Sequence, residues 1–133
     1  MPRIEPGEYP AFSRLAKVYF DHHYKRWVCA VQFNILSDSL IDVVAELTWY
    51  LNMGNRERPH AGRRGKYWPA WVKANDGPPK RRDRLSPRIF ERRYAVVEIG
   101  DTCKNYRQES TNEESCYSVV KDVVRWEIIG TVR

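Results

Sequence analysis

The most regular feature of the sequence is an alternation of side chains between residues 27 and 35. Every second position of this stretch holds an apolar side chain, namely Trp27, Cys29, Val31, Phe33 and Ile35. Because successive side chains of a β-strand point to opposite faces, the alternation predicts a strand with one face in a core. An apolar and aromatic run at 11–20 predicts a second strand, and the polar residues 21–26 between the two predict an antiparallel hairpin.

Three further stretches have the character of strands. Residues 40–52 place apolar side chains at positions that suit either a helix or a strand, but β-branched and aromatic residues are dense there, so we expect a strand at Val43–Asn52 and keep a helix as the alternative. Residues 94–102 alternate and predict another strand. At 117–120 a last strand is predicted to begin, while the helical spacing of the valines that follow predicts a competing C-terminal helix through Trp126.

A strongly basic segment lies between residues 56 and 93. It holds thirteen Lys or Arg against four acidic residues, a local charge of +9 in a chain whose formal total is +6. The rest of the chain is therefore net acidic, with ten basic and thirteen acidic residues. The same segment carries Tyr67, Trp68 and Trp71. Positive charge beside flat aromatic faces is typical of a surface that binds nucleic acid.

Glycines and prolines divide this segment into loops and short helices. We expect a flexible loop up to residue 65, a helix at 66–75 and a second loop at 80–84. Ser86, followed by a proline, predicts the cap of one further helical turn that ends at Phe90.

The predicted order is three strands, a short helix and two strands, which is the order of an OB-fold. We therefore expect a mostly β (β+α) fold, a small OB-like five-stranded barrel with a short helix between strands 3 and 4 and a C-terminal helix as an alternative end. A chain of 133 residues with 42% hydrophobic content supplies one modest core. It should form a single domain over residues 1–133, with a basic loop–helix–loop insertion at about 55–93.

The cations of the two loops and the aromatic residues of the helix are the candidate contacts to nucleic acid. Lysine and arginine neutralise phosphates, and aromatic rings stack on bases without demanding a sequence. The helical spacing of the aromatic residues equally fits packing of Trp71, Trp68 and Tyr67 onto the barrel. We expect single-stranded DNA as the favoured ligand and RNA as the alternative. The predicted binding residues are Arg63, Arg64, Lys66, Tyr67, Trp68, Lys80, Arg81, Arg82 and Arg84.

Signals for catalysis or metal binding are weaker than the charge pattern. His22 and His23 are neighbours, so on an extended chain their side chains point to opposite faces, and no Cys or acidic residue adds a usual ligand spacing. Cys29 falls on the apolar side of its strand, where a thiol is inert. We expect no metal, no cofactor and no enzyme activity. The alternatives are an interaction module that docks an acidic protein partner and, less favoured, a small metal-dependent nuclease.

The sequence also bears on the compartment. No apolar run reaches the roughly eighteen residues that a membrane-spanning helix needs. Three cysteines without a C-x-x-C pair indicate reduced thiols. We expect a cytoplasmic protein, or a nuclear one in a eukaryotic host, without a membrane partner.

Several short patterns resemble one group of known proteins. The sequence PGEY at residues 6–9 precedes the first strand, and a W-x-C-x-V-x-F run follows at 27–33. Together with the strands expected at 94–99 and 117–120, this order resembles the small single-strand-DNA-binding accessory proteins of phages and mobile elements. The resemblance implies an OB-like barrel, largely sequence-independent binding of single-stranded DNA, and a role in replication or recombination, with protein partners from a replication or defence complex.

Overall fold

The computed structural model of the protein describes residues 4–59, 62, 65–80, 85–102 and 117–127. Within these ranges it contains five strands, one α-helix and one short 3-10 helix. In chain order the elements are β1 (Gly7–Asp21), β2 (Arg26–Leu36), β3 (Val43–Asn52), α1 (Tyr67–Asn75), the 3-10 helix (Pro87–Phe90), β4 (Tyr94–Thr102) and β5 (Tyr117–Trp126).

The five strands form a closed barrel in the order β1-β2-β3-β5-β4. Neighbouring strands are antiparallel except β3 and β5, which run parallel and meet at Trp49 and Val120. The barrel closes because the long strand β1 pairs with β2 and also with β4. This is the predicted OB-like barrel, with α1 between β3 and β4 as expected.

The long strand β1 serves two neighbours because it bends at a β-bulge. Its register with β2 shifts between Ser13 and Leu15, and bulges of this kind kink a strand and increase its twist. Ser13 is fully buried and its hydroxyl accepts a hydrogen bond from the Arg93 amide at 2.9 Å. The bend is thereby fixed to the residue that leads into β4.

Inward side chains of all five strands fill the barrel. They are the alternating residues predicted for β2 together with their counterparts on the other strands, and aromatic rings close one end. The ring of Phe33 lies 6.4 Å from Trp49, and Phe90 of the 3-10 helix lies 5.8 Å from the same indole. Phe90 also meets Tyr67 of α1 edge-on, at 5.8 Å between ring centres. The two short helices therefore cover this end of the core.

Both ambiguous stretches are strands. The strand predicted at Val43–Asn52 is confirmed, since residues 28–36 of β2 pair with it along its whole length. The alternative C-terminal helix is wrong, because β5 continues to Trp126 and pairs with β4. A cap at Ser86 is confirmed: its hydroxyl accepts a hydrogen bond from the Arg88 amide at 3.3 Å.

The helical spacing of the C-terminal valines has a physical cause in the strand pairing. Val97 pairs with Val123 and Ile99 with Val120, so two steps along β4 match three steps along β5. A β-bulge at Lys121 takes up the extra residue. Val120 and Val123 can then both point into the barrel although they are three positions apart.

In the part of the chain that the structure describes, no helix is both long and apolar enough to cross a membrane.

Candidate nucleic-acid interface

The predicted binding residues lie in different settings. Lys66 is exposed at the start of α1, and Lys80 is exposed beyond its end. Trp68 is half-buried on the first turn of α1. The arginines at positions 63, 64, 81, 82 and 84 lie outside the described residues, so their part in the site stays a prediction.

Tyr67 is a core residue, which contradicts its predicted role in stacking. Its side chain is 1% exposed, and its hydroxyl donates a hydrogen bond to the Leu85 carbonyl at 2.7 Å. Burial raises the pKa of this phenol far above its ordinary range, with a smaller contribution from Cys29. The reason is geometric: Tyr67, Trp71 and Ala74 share the helix face that packs on the barrel.

Trp71 follows the same pattern. Its indole is 7% exposed, and its Nε1 donates to the Ser86 carbonyl at 2.9 Å. The two hydrogen bonds from Tyr67 and Trp71 tie α1 to the residues that lead into the 3-10 helix. These aromatic residues of the basic segment therefore anchor the helix instead of offering faces to a ligand.

A different set of aromatic residues lines an open groove on the outside of the barrel. This tyrosine groove has a volume of about 430 Å³ and crosses the outer face of β1, β2, β3 and β5 beside the turn between β1 and β2. Its walls carry four tyrosines from four elements, and three cations stand among them. The tyrosines are Tyr19, Tyr24, Tyr50 and Tyr117, and the cations are Arg26, Lys66 and Lys121.

Strand alternation explains why the tyrosines face outward. Tyr50 lies between the inward residues Trp49 and Leu51, so its own ring must leave the barrel, and it is 47% exposed. Across β2, the smaller outward residues Val28 and Ala30 pair with Tyr19 and Tyr50 respectively. Small side chains on the middle strand and large rings on both sides produce a trough.

The turn between β1 and β2 contributes a rigid end to this groove. The Asp21 carboxylate accepts hydrogen bonds from the backbone amides of His23 and Tyr24, at 2.9 and 3.2 Å. The Arg26 guanidinium lies over the Tyr24 ring, 4.8 Å from its centre. A cation held against an aromatic face offers positive charge and a flat surface at the same point.

The electrostatics of the groove suit an anionic ligand. Of the lining residues that the structure describes, Arg26, Lys66 and Lys121 are cationic and Asp21 alone carries a carboxylate, which already accepts hydrogen bonds within the turn. Burial raises the pKa of Tyr19, and the neighbouring Tyr50 and Asp21 raise it further. Burial likewise raises the pKa of Tyr117, with smaller contributions from Tyr24 and Tyr50. These phenols therefore stay neutral at physiological pH and add no negative charge.

The position of the groove matches the general ligand face of OB barrels. Such barrels bind oligonucleotides on the face of strands 2 and 3 and through the loops that follow strands 1 and 4. The tyrosine groove lies on that face, next to the first of those loops, and Thr102 and Tyr117 at its rim flank the second. Among the predicted site residues that the structure describes, Lys66 is the one that lines it.

His22 and His23 lie in the exposed turn after β1. Over the described ranges, no group of three or more His, Cys, Asp or Glu side chains is arranged to hold a metal ion.

Comparison of this chain with protein-family models, with curated proteins and with solved structures gives no match.

Proposed function

We propose that this protein binds single-stranded nucleic acid, with single-stranded DNA favoured, in the tyrosine groove. The observation that carries the proposal is the convergence of four tyrosines and three cations on the ligand face of an OB-like barrel. The basic segment contributes Lys66 to this groove.

Each component has a defined role in the proposal. The exposed ring of Tyr50 and its neighbours Tyr19 and Tyr117 stack on bases, which every base permits because every base has a flat face. Lys66, Lys121 and Arg26 neutralise phosphates and release counterions. Base stacking needs unpaired bases, so a duplex is a poor ligand for the same groove. Recognition is largely independent of sequence, in keeping with an accessory role in replication or recombination of a phage or mobile element.

Fluorescence anisotropy with labelled oligonucleotides tests this function. We expect single strands of DNA to bind more tightly than duplex of the same length, with affinity that falls as salt rises. Single-stranded RNA, titrated in parallel, decides between the two polymers. Absence of oligonucleotide binding, or binding without salt dependence, would contradict the proposal.

Two controls separate the alternatives. An acidic peptide that binds in place of oligonucleotide would instead indicate an interaction module for an acidic protein partner. Incubation of nucleic acid with the protein and a divalent metal, repeated with His22→Ala and His23→Ala variants, tests for nuclease activity. Cleavage that either substitution abolishes would overturn a purely binding function.

A further inference from the structure

A second groove adjoins the tyrosine groove on the side of α1. This helix groove has a volume of about 320 Å³ and lies between α1 and the β3–β5 seam. Its apolar floor is formed by Trp49 and Leu51, and Pro69 and Ala70 of the helix form one wall. Among its lining residues in the described part of the chain, three are lysines, at positions 66, 73 and 121, and one is a carboxylate, Asp122.

The two grooves meet at two shared side chains. Lys66 and Lys121 line both of them. A ligand that leaves the tyrosine groove toward α1 therefore passes between two cations. Beyond these two cations, Lys73 supplies a third positive charge in the helix groove.

Lys121 is placed at this junction by two features of the strands. It is the extra residue of the β-bulge between β4 and β5, and a bulge re-aims the side chain that it carries. The stem of Lys121 then lies across Gly100 of β4: a Cβ added at Gly100 would lie 2.8 Å from Lys121 Cε and 2.9 Å from Cγ. Any side chain at position 100 would displace the lysine.

Lys73 is also held in place. Its ammonium donates a hydrogen bond to the Val123 carbonyl at 2.7 Å, which uses one of its three protons. The other two remain for an anionic ligand in the groove. A lysine already fixed in position loses less conformational entropy on binding a phosphate than a free surface lysine does.

We infer that the helix groove is a second subsite for the same nucleic-acid strand, with phosphates held at the Lys66–Lys121 junction and at Lys73, and with Gly100 as the residue that positions Lys121. This inference rests on the proposed function of the tyrosine groove. It predicts that a strand long enough to pass the junction makes contacts that a short strand cannot make.

A length series tests the subsite. Oligothymidylates from about four to about twelve nucleotides are titrated against the wild type and Lys73→Ala, within the range of site sizes known for OB barrels. We expect Lys73→Ala to weaken the long strands about fivefold near 0.1 M salt, to lower the salt slope by about 0.7, and to leave the shortest strands unchanged. Arg125→Ala removes the same charge from an exposed position outside both grooves and should change neither.

A second variant protects the test against a folding defect, because Lys73→Ala also removes a backbone contact. Pro69→Glu puts a carboxylate into the helix groove from an exposed position in the first turn of α1, where an acidic residue favours the helix. It should weaken long strands selectively at an unchanged melting temperature. If short strands bind and neither variant weakens the binding of long strands more than that of short ones, the subsite is refuted while the function of the tyrosine groove stands. If no strand binds, the proposed function itself fails.

The positioning role of Gly100 is tested by a double-mutant cycle. Gly100→Ala should weaken binding in the wild type and should have no further effect in Lys121→Ala, because the lysine that it displaces is then absent. Additive effects of the two substitutions would show that Gly100 does not act through Lys121.

Discussion

The tyrosine groove and the inner face of α1 are both built from aromatic residues, yet they use them in opposite ways. Tyr50 is 47% exposed on the outer face of β3, whereas Tyr67 is 1% exposed beneath α1. The Tyr67 hydroxyl donates a hydrogen bond to a backbone carbonyl, and its ring packs edge-on against Phe90. In the tyrosine groove, rings from separate elements surround open space instead.

This difference shows that local charge does not decide which aromatic residues can meet a ligand. Tyr67 and Trp71 lie inside the most basic segment of the chain but pack on the barrel, because the helix has one apolar face and must bury it. Tyr19 and Tyr50 lie in strands without a basic cluster, and alternation directs them outward. What matters is the face of the element on which the ring lies.

The largest effect is expected from removing rings of the tyrosine groove. Tyr50→Ala with Tyr117→Ala should weaken single-strand binding about thirtyfold or more, because each ring that stacks on a base contributes about 1 to 3 kcal/mol. Anisotropy titration measures the loss, and Tyr50→Phe should retain most of the affinity. Tyr94→Ala is the matched control, since Tyr94 is 49% exposed on the outer face of β4 and outside the groove. If Tyr94→Ala lost as much affinity as the double variant, a localised site would be contradicted.

A second experiment sets the groove cations against those of the basic loop. Lys66→Ala with Lys121→Ala should cost about fivefold in affinity for each phosphate contact near 0.1 M salt and lower the salt slope by about 0.7 for each. Arg81→Glu with Arg82→Glu should weaken all sequences alike through the loss of positive field. If Arg81→Glu with Arg82→Glu left the affinity unchanged, the basic loop would not contribute to binding. If Lys66→Ala with Lys121→Ala left it unchanged, the groove lysines would not contact phosphates.

A third test uses the pH dependence of stability, which depends on Cys29 on the inner side of β2. Burial raises the pKa of the Cys29 thiol from its ordinary value of 9.0 to about 12, with a smaller contribution from Glu91. As pH rises above about 9, the unfolded chain releases this proton while the folded chain keeps it, so the free energy of unfolding falls until about pH 12.

Urea unfolding between pH 8 and pH 10 measures this fall. The wild type should lose about 1.4 kcal/mol more by pH 10 than Cys29→Ala, which has no thiol to ionise. Each protein is compared with itself at the two pH values. The stability that Cys29→Ala loses through its cavity is the same at both and therefore cancels. The same slope in both proteins would show that Cys29 is not kept neutral by the core.

The smallest effect is expected from the hydroxyl of Tyr67. Tyr67→Phe removes its hydrogen bond to the Leu85 carbonyl and should lower the free energy of unfolding by about 1 kcal/mol. Affinity for single strands should stay the same, because the ring lies inside the molecule. Weaker binding at an unchanged melting temperature would reassign Tyr67 to the interface.

Much of the fold follows from short-range patterns. The alternation at 27–35, the β-branched stretch at Val43–Asn52 and the cap at Ser86 each depend on neighbours within a few residues, and each prediction is confirmed. The end of β5 was ambiguous for a different reason. Its valine spacing reflects a bulge that exists only in the pairing with β4, which no local pattern reveals.

The candidate site was harder to predict. Tyr19 and Tyr50 occupy outward positions of two strands that the sequence predicts, so alternation along those strands could have indicated that both rings leave the core. Tyr24 and Tyr117 carry no such signal. Tyr117 joins the groove because β3 and β5 lie side by side, a contact between Trp49 and Val120 that only closure of the barrel creates. Tyr24 joins it from the turn between β1 and β2.

Photocrosslinking identifies the residues that contact a bound strand. A single-stranded oligonucleotide substituted with 5-iodouracil is irradiated in complex with the protein, and the crosslinked residues are identified by mass spectrometry. We expect crosslinks at Tyr50 and at Tyr19 or Tyr117, and their loss in the corresponding alanine variants. Crosslinks confined to Trp68 and the basic segment, with the tyrosines of the groove unmodified, would contradict the tyrosine groove as the binding site.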